Sequence, residues 1–197
     1  MGRDWKTVSG HFNEADGLLY ENWVKSAPNG STFVELGVLN GRSSACLLSN
    51  LLKFGKLNCT VFCIDLWPHP ENIIKTIQNL HPWINDMKKA NPNKDYLPVR
   101  FISMDSLQAH KLFSIESIWG VFLDTDHTGT SIVDNVEMWW KKIAVGGRMG
   151  FHDYQDGWPE VVISVDKIFS NVIPRQRTGS TIDFEKQHSW GGKFPIT

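Results

Sequence analysis

Thr32-Phe33-Val34-Glu35-Leu36-Gly37-Val38-Leu39-Asn40-Gly41-Arg42-Ser43 passes from an apolar, partly β-branched run through two glycines into a polar helix start. Residues 32–36 read as a short buried strand. Residues 37–41 read as a turn, and 43–54 as a helix with Ser43 or Ser44 near its N-cap and Gly55 past its end. Gly37 can take backbone angles closed to other residues, and without a side chain it lets a ligand approach. Gly41 lets the helix begin close to the strand. The spacing is not G-x-G-x-x-G, and no Gly-Lys-Ser/Thr follows, so neither a dinucleotide turn nor a P-loop is indicated.

The same alternation continues outward. Residues 59–65 form a second apolar run ending in Asp65, 99–105 a third ending in Asp105, 118–124 a fourth ending in Asp124, and 148–153 a fifth ending in His152-Asp153. Helical patterns at 106–113, 131–143 and 159–169 separate or follow them. Segments 171–176 and 181–185 flank Thr178-Gly179-Ser180 as a terminal hairpin. Near-continuous apolar strands alternating with helices imply a mostly parallel, doubly wound α/β sheet covered on both faces. Such sheets bind ligands at the carboxyl ends of their strands. Glu35, Asp65, Asp105, Asp124 and Asp153 all fall at or near those ends. Before the first strand, 13–25 reads as an amphipathic helix, making 1–30 a helical N-terminal extension. The stretch 67–98, broken by Pro68, Pro70, Pro82 and Pro92, reads as an insertion with helical turns at 73–80 and 83–90 and a candidate lid.

The chain has 197 residues with 20 basic and 21 acidic side chains, for a net charge of -1. One domain spanning 1–197 is expected. No basic stripe marks a nucleic-acid partner. No apolar run nears the roughly 20 residues of a membrane span. Cys46, Cys59 and Cys63 lie in apolar stretches without metal-type spacing, which suits buried reduced thiols. A cytoplasmic protein with a small-molecule partner is the expectation; a homo-oligomer is left open.

A carboxylate at Asp65 can accept ribose hydroxyls and fix an adenosine across the first two strand ends. Asp105-Ser106 suits either an adenine amino group or a helix N-cap. In this order, Glu35-x-Gly37-x-x-x-Gly41-x-Ser43, Asp65-Leu66-Trp67 and Asp105-Ser106 resemble the successive motifs of class I S-adenosylmethionine-dependent methyltransferases. Leu123-Asp124-Thr125-Asp126-His127 and Val145-Gly146-Gly147-Arg148-Met149-Gly150-Phe151-His152-Asp153-Tyr154 resemble the branch holding macrocin-type O-methyltransferases and cephalosporin-hydroxylase-like proteins. The resemblance covers about 33–185. It implies a Rossmann-like sheet of seven strands with the last antiparallel, and S-adenosyl-L-methionine as cofactor. Glu35, Gly37 and Ser43 would line its methionine end, with Gly41 in the same turn. Asp65 would hold the ribose, Asp105 and Ser106 would border adenine, and Trp67 and Asp124 would also belong to the cofactor site.

The resemblance further implies a divalent metal, Mg²⁺ or Mn²⁺, on Asp124 and Asp153, with His152 standing where relatives carry an acid. Imidazole is the softer ligand, suited also to Zn²⁺, Mn²⁺ or Fe²⁺. Methyl transfer to a hydroxyl needs a proton acceptor, for which His127 is the first candidate and Asp126 the second. Trp67 and Trp158 are placed to wall an acceptor pocket, whereas Trp139-Trp140 reads as helix packing. Three other readings stand beside this one. A metal-dependent hydrolase would use the Asp/His cluster but leave Gly37 and Asp65 without a role. A nicotinamide dehydrogenase lacks its glycine turn. A non-catalytic interaction module could keep the fold.

Overall fold

The computed structural model describes residues 3–92, 97–170 and 176–187. Its sheet has seven strands in the order β3-β2-β1-β4-β5-β7-β6: β1 Thr32–Leu36, β2 Thr60–Asp65, β3 Val99–Ser103, β4 Ile118–Leu123, β5 Ile143–Phe151, β6 Gln176–Thr178 and β7 Thr181–Glu185. Strands β1 to β5 pair in parallel, β7 runs antiparallel to β5, and β6 pairs antiparallel with β7. The chain builds outward from β1 to β3, then returns to lay β4 on the other side of β1. That reversal opens a crevice at the carboxyl ends of β1 and β4, the place where open α/β sheets bind ligands. Of the predicted first hairpin strand, only Gln176 falls within the described residues.

The strands' period-2 alternation feeds two cores. Phe33, Val61, Cys63 and Phe122 face α1 Glu14–Ser26, α2 Arg42–Lys53 and α3 Pro70–Ala90. Val34, Leu36, Ile64 and Val121 face α4 Ser106–Ala109, α5 Gly129–Trp139 and α6 Pro159–Ile168. Trp139 and Trp140 are buried in this second core. All three cysteines are free and buried, and burial raises the thiols of Cys46 and Cys63 well above the ordinary range. Among the described residues no helix is long and apolar enough to cross a membrane.

The stretch expected as two helical pieces is one 21-residue helix, α3, with Pro82 inside it. Proline forfeits one backbone rung, but burial of Leu80, Trp83 and Met87 against α2 outweighs that loss, and Trp83 Nε1 donates to Ser49 Oγ at 2.7 Å. Thr76 Oγ1 and Asn79 Nδ2 donate to the carbonyls of Leu39 and Asn40. As built, therefore, this helix is a wall of the glycine turn.

The start of α2 departs from expectation. Gly41, at φ +84, is its N-cap and supplies no side-chain bond. The hydroxyls of Ser43 and Ser44 instead turn inward and donate to Glu35, which is fully buried. Burial pushes the Glu35 carboxyl from 4.5 up to about 7, against the lowering effect of both serine bonds.

Trp23 of α1 lies across β4 and β5 where both carry glycine. A Cβ added at Gly120 would sit 2.7 Å from its ring, and one at Gly150 2.8 Å. Its Nε1 donates to Asp183 Oδ2 of β7 at 2.7 Å. We expect Gly150→Ala to cost about 1–3 kcal/mol through overpacking, read as a lower urea midpoint at unchanged slope; an unchanged midpoint would refute this packing. Because the folded Glu35 titrates above its unfolded value, its contribution is complete below 4.5 and is lost as pH rises through about 7. Glu35→Gln should therefore gain on the wild type by roughly 3 kcal/mol across that window. Parallel stability curves for the two proteins would contradict it.

Candidate functional site

The crevice is a cleft of about 790 Å³. Gly37 makes its floor: at φ +83 its backbone lies so close to β4 that an added Cβ would fall 1.8 Å from the Asp124 carbonyl oxygen. Gly37, Ser43, Asp65, Asp105, Ser106, Asp124, Asp126, His127, His152 and Asp153 all line this one cleft. Glu35 does not. It is sealed beneath the turn by Ser43 and Ser44, so its expected contact with the methionine end is replaced by a role in holding the turn. Gly41 caps α2 just behind the wall and packs on Leu80. Trp67 likewise does not line the cleft. At φ +38 it folds back into the core against Phe101, with Nε1 3.5 Å from the Leu39 carbonyl.

Asp65 ties the ends of β1 and β2 together. Its Oδ2 accepts from the backbone N–H groups of Val38 at 2.7 Å and Leu39 at 3.0 Å, and Oδ1 accepts from Trp67 N–H at 3.2 Å. A carboxylate offers about four acceptor positions, so roughly one remains for a ligand hydroxyl rather than the two expected. At the end of β3, Asp105 is a helix cap on the rim of the cleft. Oδ1 accepts from Leu107 N–H at 2.7 Å, capping α4, while the residue lines the cleft beside Ser106 and Met104.

The other end of the cleft is titratable. Asp126 binds the turn before α5, Oδ1 accepting from Thr128 N–H at 3.0 Å and Oγ1 at 2.6 Å. Burial raises its carboxyl, but these bonds outweigh that and hold it below the usual range, which makes it a poor proton acceptor. His127 stacks on Trp158 with ring centroids 3.8 Å apart, and its Nε2 lies 2.9 Å from Asp153 Oδ2. Asp153 itself sits at φ +57, a strained conformation for a residue other than glycine.

His152 is nearly buried and faces carboxylates on both edges. Its Nδ1 lies 3.1 Å from Asp153 Oδ2 and 3.3 Å from Asp124 Oδ1, and Nε2 lies 3.6 Å from Asp16 Oδ2. Burial alone lowers its pKa; bonds to Asp124, Asp153 and Asp16 overcome that and push it up to about 12. The donor atoms of Asp124, His152 and Asp153 all lie within 4.8 Å of one another. Two carboxylates and an imidazole so arranged fit a borderline divalent cation better than a hard one.

The sequence did not single out Asp16, the N-terminal residues 9–13 or Gln155, all of which bear on the site. Asp16 had one readable signal, its place in the capping box with Asn13; its approach to His152 comes only from the fold.

The methyltransferase-domain family model matches residues 34–154, more than half of the chain. An uncharacterized protein of Acanthamoeba polyphaga mimivirus is 26% identical over 146 residues, covering 72% of this chain; the chain spans 60% of that relative's length. Similar solved structures include a Corynebacterium glutamicum protein (TM-score 0.67, 17% identity, 92% of this chain and 84% of that one). A TDP-rhamnose 3′-O-methyltransferase of calicheamicin biosynthesis superposes with TM-score 0.69 at 11% identity, over 88% of this chain and 81% of that one. An O-methyltransferase of Bacillus cereus, solved in complex with SAH, gives 0.60 at 17% identity, over 92% and 86%. The strand order, the cleft at the β1–β4 reversal and the matched span agree: the chain belongs to the methyltransferase-domain family.

Proposed function

We propose that the chain transfers the methyl group of S-adenosylmethionine to a hydroxyl of a small molecule, with His127 accepting the proton. The observation that carries this reading is the His127–Asp153 pair, 2.9 Å apart, opening into the same cleft as the Gly37 turn and Asp65. Asp65 and residues 104–107 would hold the adenosine. Gly37 and the start of α2, whose free N–H groups suit a carboxylate, would take the methionine end. Asp124 would supply the negative charge for the cationic sulfonium. The solved O-methyltransferases of similar fold support oxygen as the acceptor atom, and the near-neutral charge supports a small partner over nucleic acid.

With Nε2–H donating to Asp153, a neutral His127 carries its lone pair on Nδ1. Nδ1 is placed to take the proton of the acceptor hydroxyl. S-adenosylmethionine, when bound, would supply the methyl group to that oxygen, the electron pair of the broken carbon–sulfur bond staying on sulfur in S-adenosylhomocysteine. Trp158 and Asp153 hold the ring in place, and alignment of oxygen, methyl and sulfur supplies much of the remaining acceleration. A divalent cation on Asp124, His152 and Asp153 would lower the pKa of the acceptor hydroxyl.

Calorimetric titration with S-adenosylmethionine should show binding to the wild type. Asp65→Ala should weaken it by about 10–100-fold, the scale of losing charge-assisted bonds; equal affinities would detach Asp65 from the cofactor. Release of S-adenosylhomocysteine is then followed over sugars and phenols as acceptors. His127→Ala should lower kcat by about 10²–10⁴ while sparing cofactor affinity, and undiminished turnover would remove His127 from the reaction. A wild type that binds no S-adenosylmethionine would overturn the whole reading.

A further inference from the structure

We infer that Asp16, on the N-terminal helix, is the positioning residue that makes His152 a metal ligand, and that the ion held there is Mn²⁺ or Zn²⁺ in preference to Mg²⁺. The inference rests on the cation placement just given but not on methyl transfer itself. Histidines that bind metals almost always donate their second ring N–H to a carboxylate or carbonyl, which fixes the ring and its tautomer. Here the Nε2 edge of His152 faces Asp16 Oδ2 at 3.6 Å, with Ser180 Oγ at 3.4 Å beside it. Nδ1 is thereby turned into the gap between Asp124 and Asp153.

The spacing of the inner atoms suits an ion. Ligands about 2.1 Å from a shared metal lie roughly 3.0–3.4 Å from each other in octahedral or tetrahedral arrangements. The observed separations from Nδ1 are 3.1 and 3.3 Å. On uptake the ion takes the place of the hydrogen on Nδ1, which is released to solvent.

Asp16 is held too firmly to be an incidental neighbour. It is fully buried, its Oδ1 accepts from Ser180 N–H at 2.8 Å and Oγ at 3.0 Å, and its Oδ2 accepts from Asn13 N–H at 2.8 Å. A Cβ at Gly179 would fall 2.4 Å from Oδ1, so the hairpin turn is shaped around this carboxylate. A full charge is thus brought from α1 to the far edge of the ring.

The test is calorimetric titration of the whole protein with MnCl₂ alone, wild type against Asp16→Asn. The amide keeps an oxygen for Ser180 but presents a donor where the ring N–H needs an acceptor. Mn²⁺ affinity should fall about 10–100-fold in the variant, with S-adenosylmethionine affinity unchanged and MgCl₂ bound more weakly than MnCl₂ by the wild type. Equal Mn²⁺ affinity in the two proteins, no uptake by the wild type, or a preference for Mg²⁺ would each overturn the inference. If Asp16→Asn fails to fold, histidine-labelled wild type is followed by nitrogen NMR as ZnCl₂ is added. The His152 Nδ1 signal should move while Nε2 keeps its proton; ligation through Nε2, or no shift, refutes it. Absent S-adenosylmethionine binding would sink the methyl-transfer reading and leave both metal readouts intact.

Discussion

The approach of the Gly37 backbone to the Asp124 carbonyl is the contact on which the site depends. It brings the turn after β1 onto the turn after β4 at the one place where the sheet reverses its order. Any side chain at position 37 would force the two strand ends apart. With them in contact, the cleft has a closed floor, the turn after β1 on one side and the titratable cluster on the other. Asp65 and Glu35 act on this same turn from above and below. Asp65 collects its N–H groups, and Glu35 collects the two serines that begin the helix behind it.

At the titratable end, charge balance governs the arrangement. Asp16, Asp124 and Asp153 surround one imidazole, and Asp153 also faces His127. Carboxylates this poorly hydrated need a cation close by, and the ring of His152 is placed between them. The left-handed backbone at Asp153 is the local cost of aiming one oxygen at two rings.

Much of the fold was legible in the sequence because buried parallel strands are apolar throughout and their ends are marked by acids. Five strands with a shared acidic rim follow from that regularity, and the terminal hairpin follows from its glycine turn; the order of the strands in the sheet does not. The site was legible as a set of residues but not as a set of contacts. Nothing local distinguishes Glu35 buried under the turn from Glu35 lining it; the difference lies in where Ser43 and Ser44 point. Trp67 follows a strand end as a pocket residue would, yet its backbone conformation turns it inward. Pro82 marked a break that tertiary burial overrode. Asp16 completes the capping box with Asn13, but its partners Ser180 and His152 lie more than a hundred residues away.

The bond from Asp16 to Ser180 spans 164 residues. During synthesis, the turn after β1 and its braces from β2 and β4 can close once about two thirds of the chain has emerged. The histidine-rich end cannot: it waits for the hairpin to leave the ribosome and fold back on the first helix, a closure that is slow because it is so distant in sequence. A chain interrupted before the hairpin would thus hold the floor of the cleft with the Asp16–Ser180 brace beside His152 still missing.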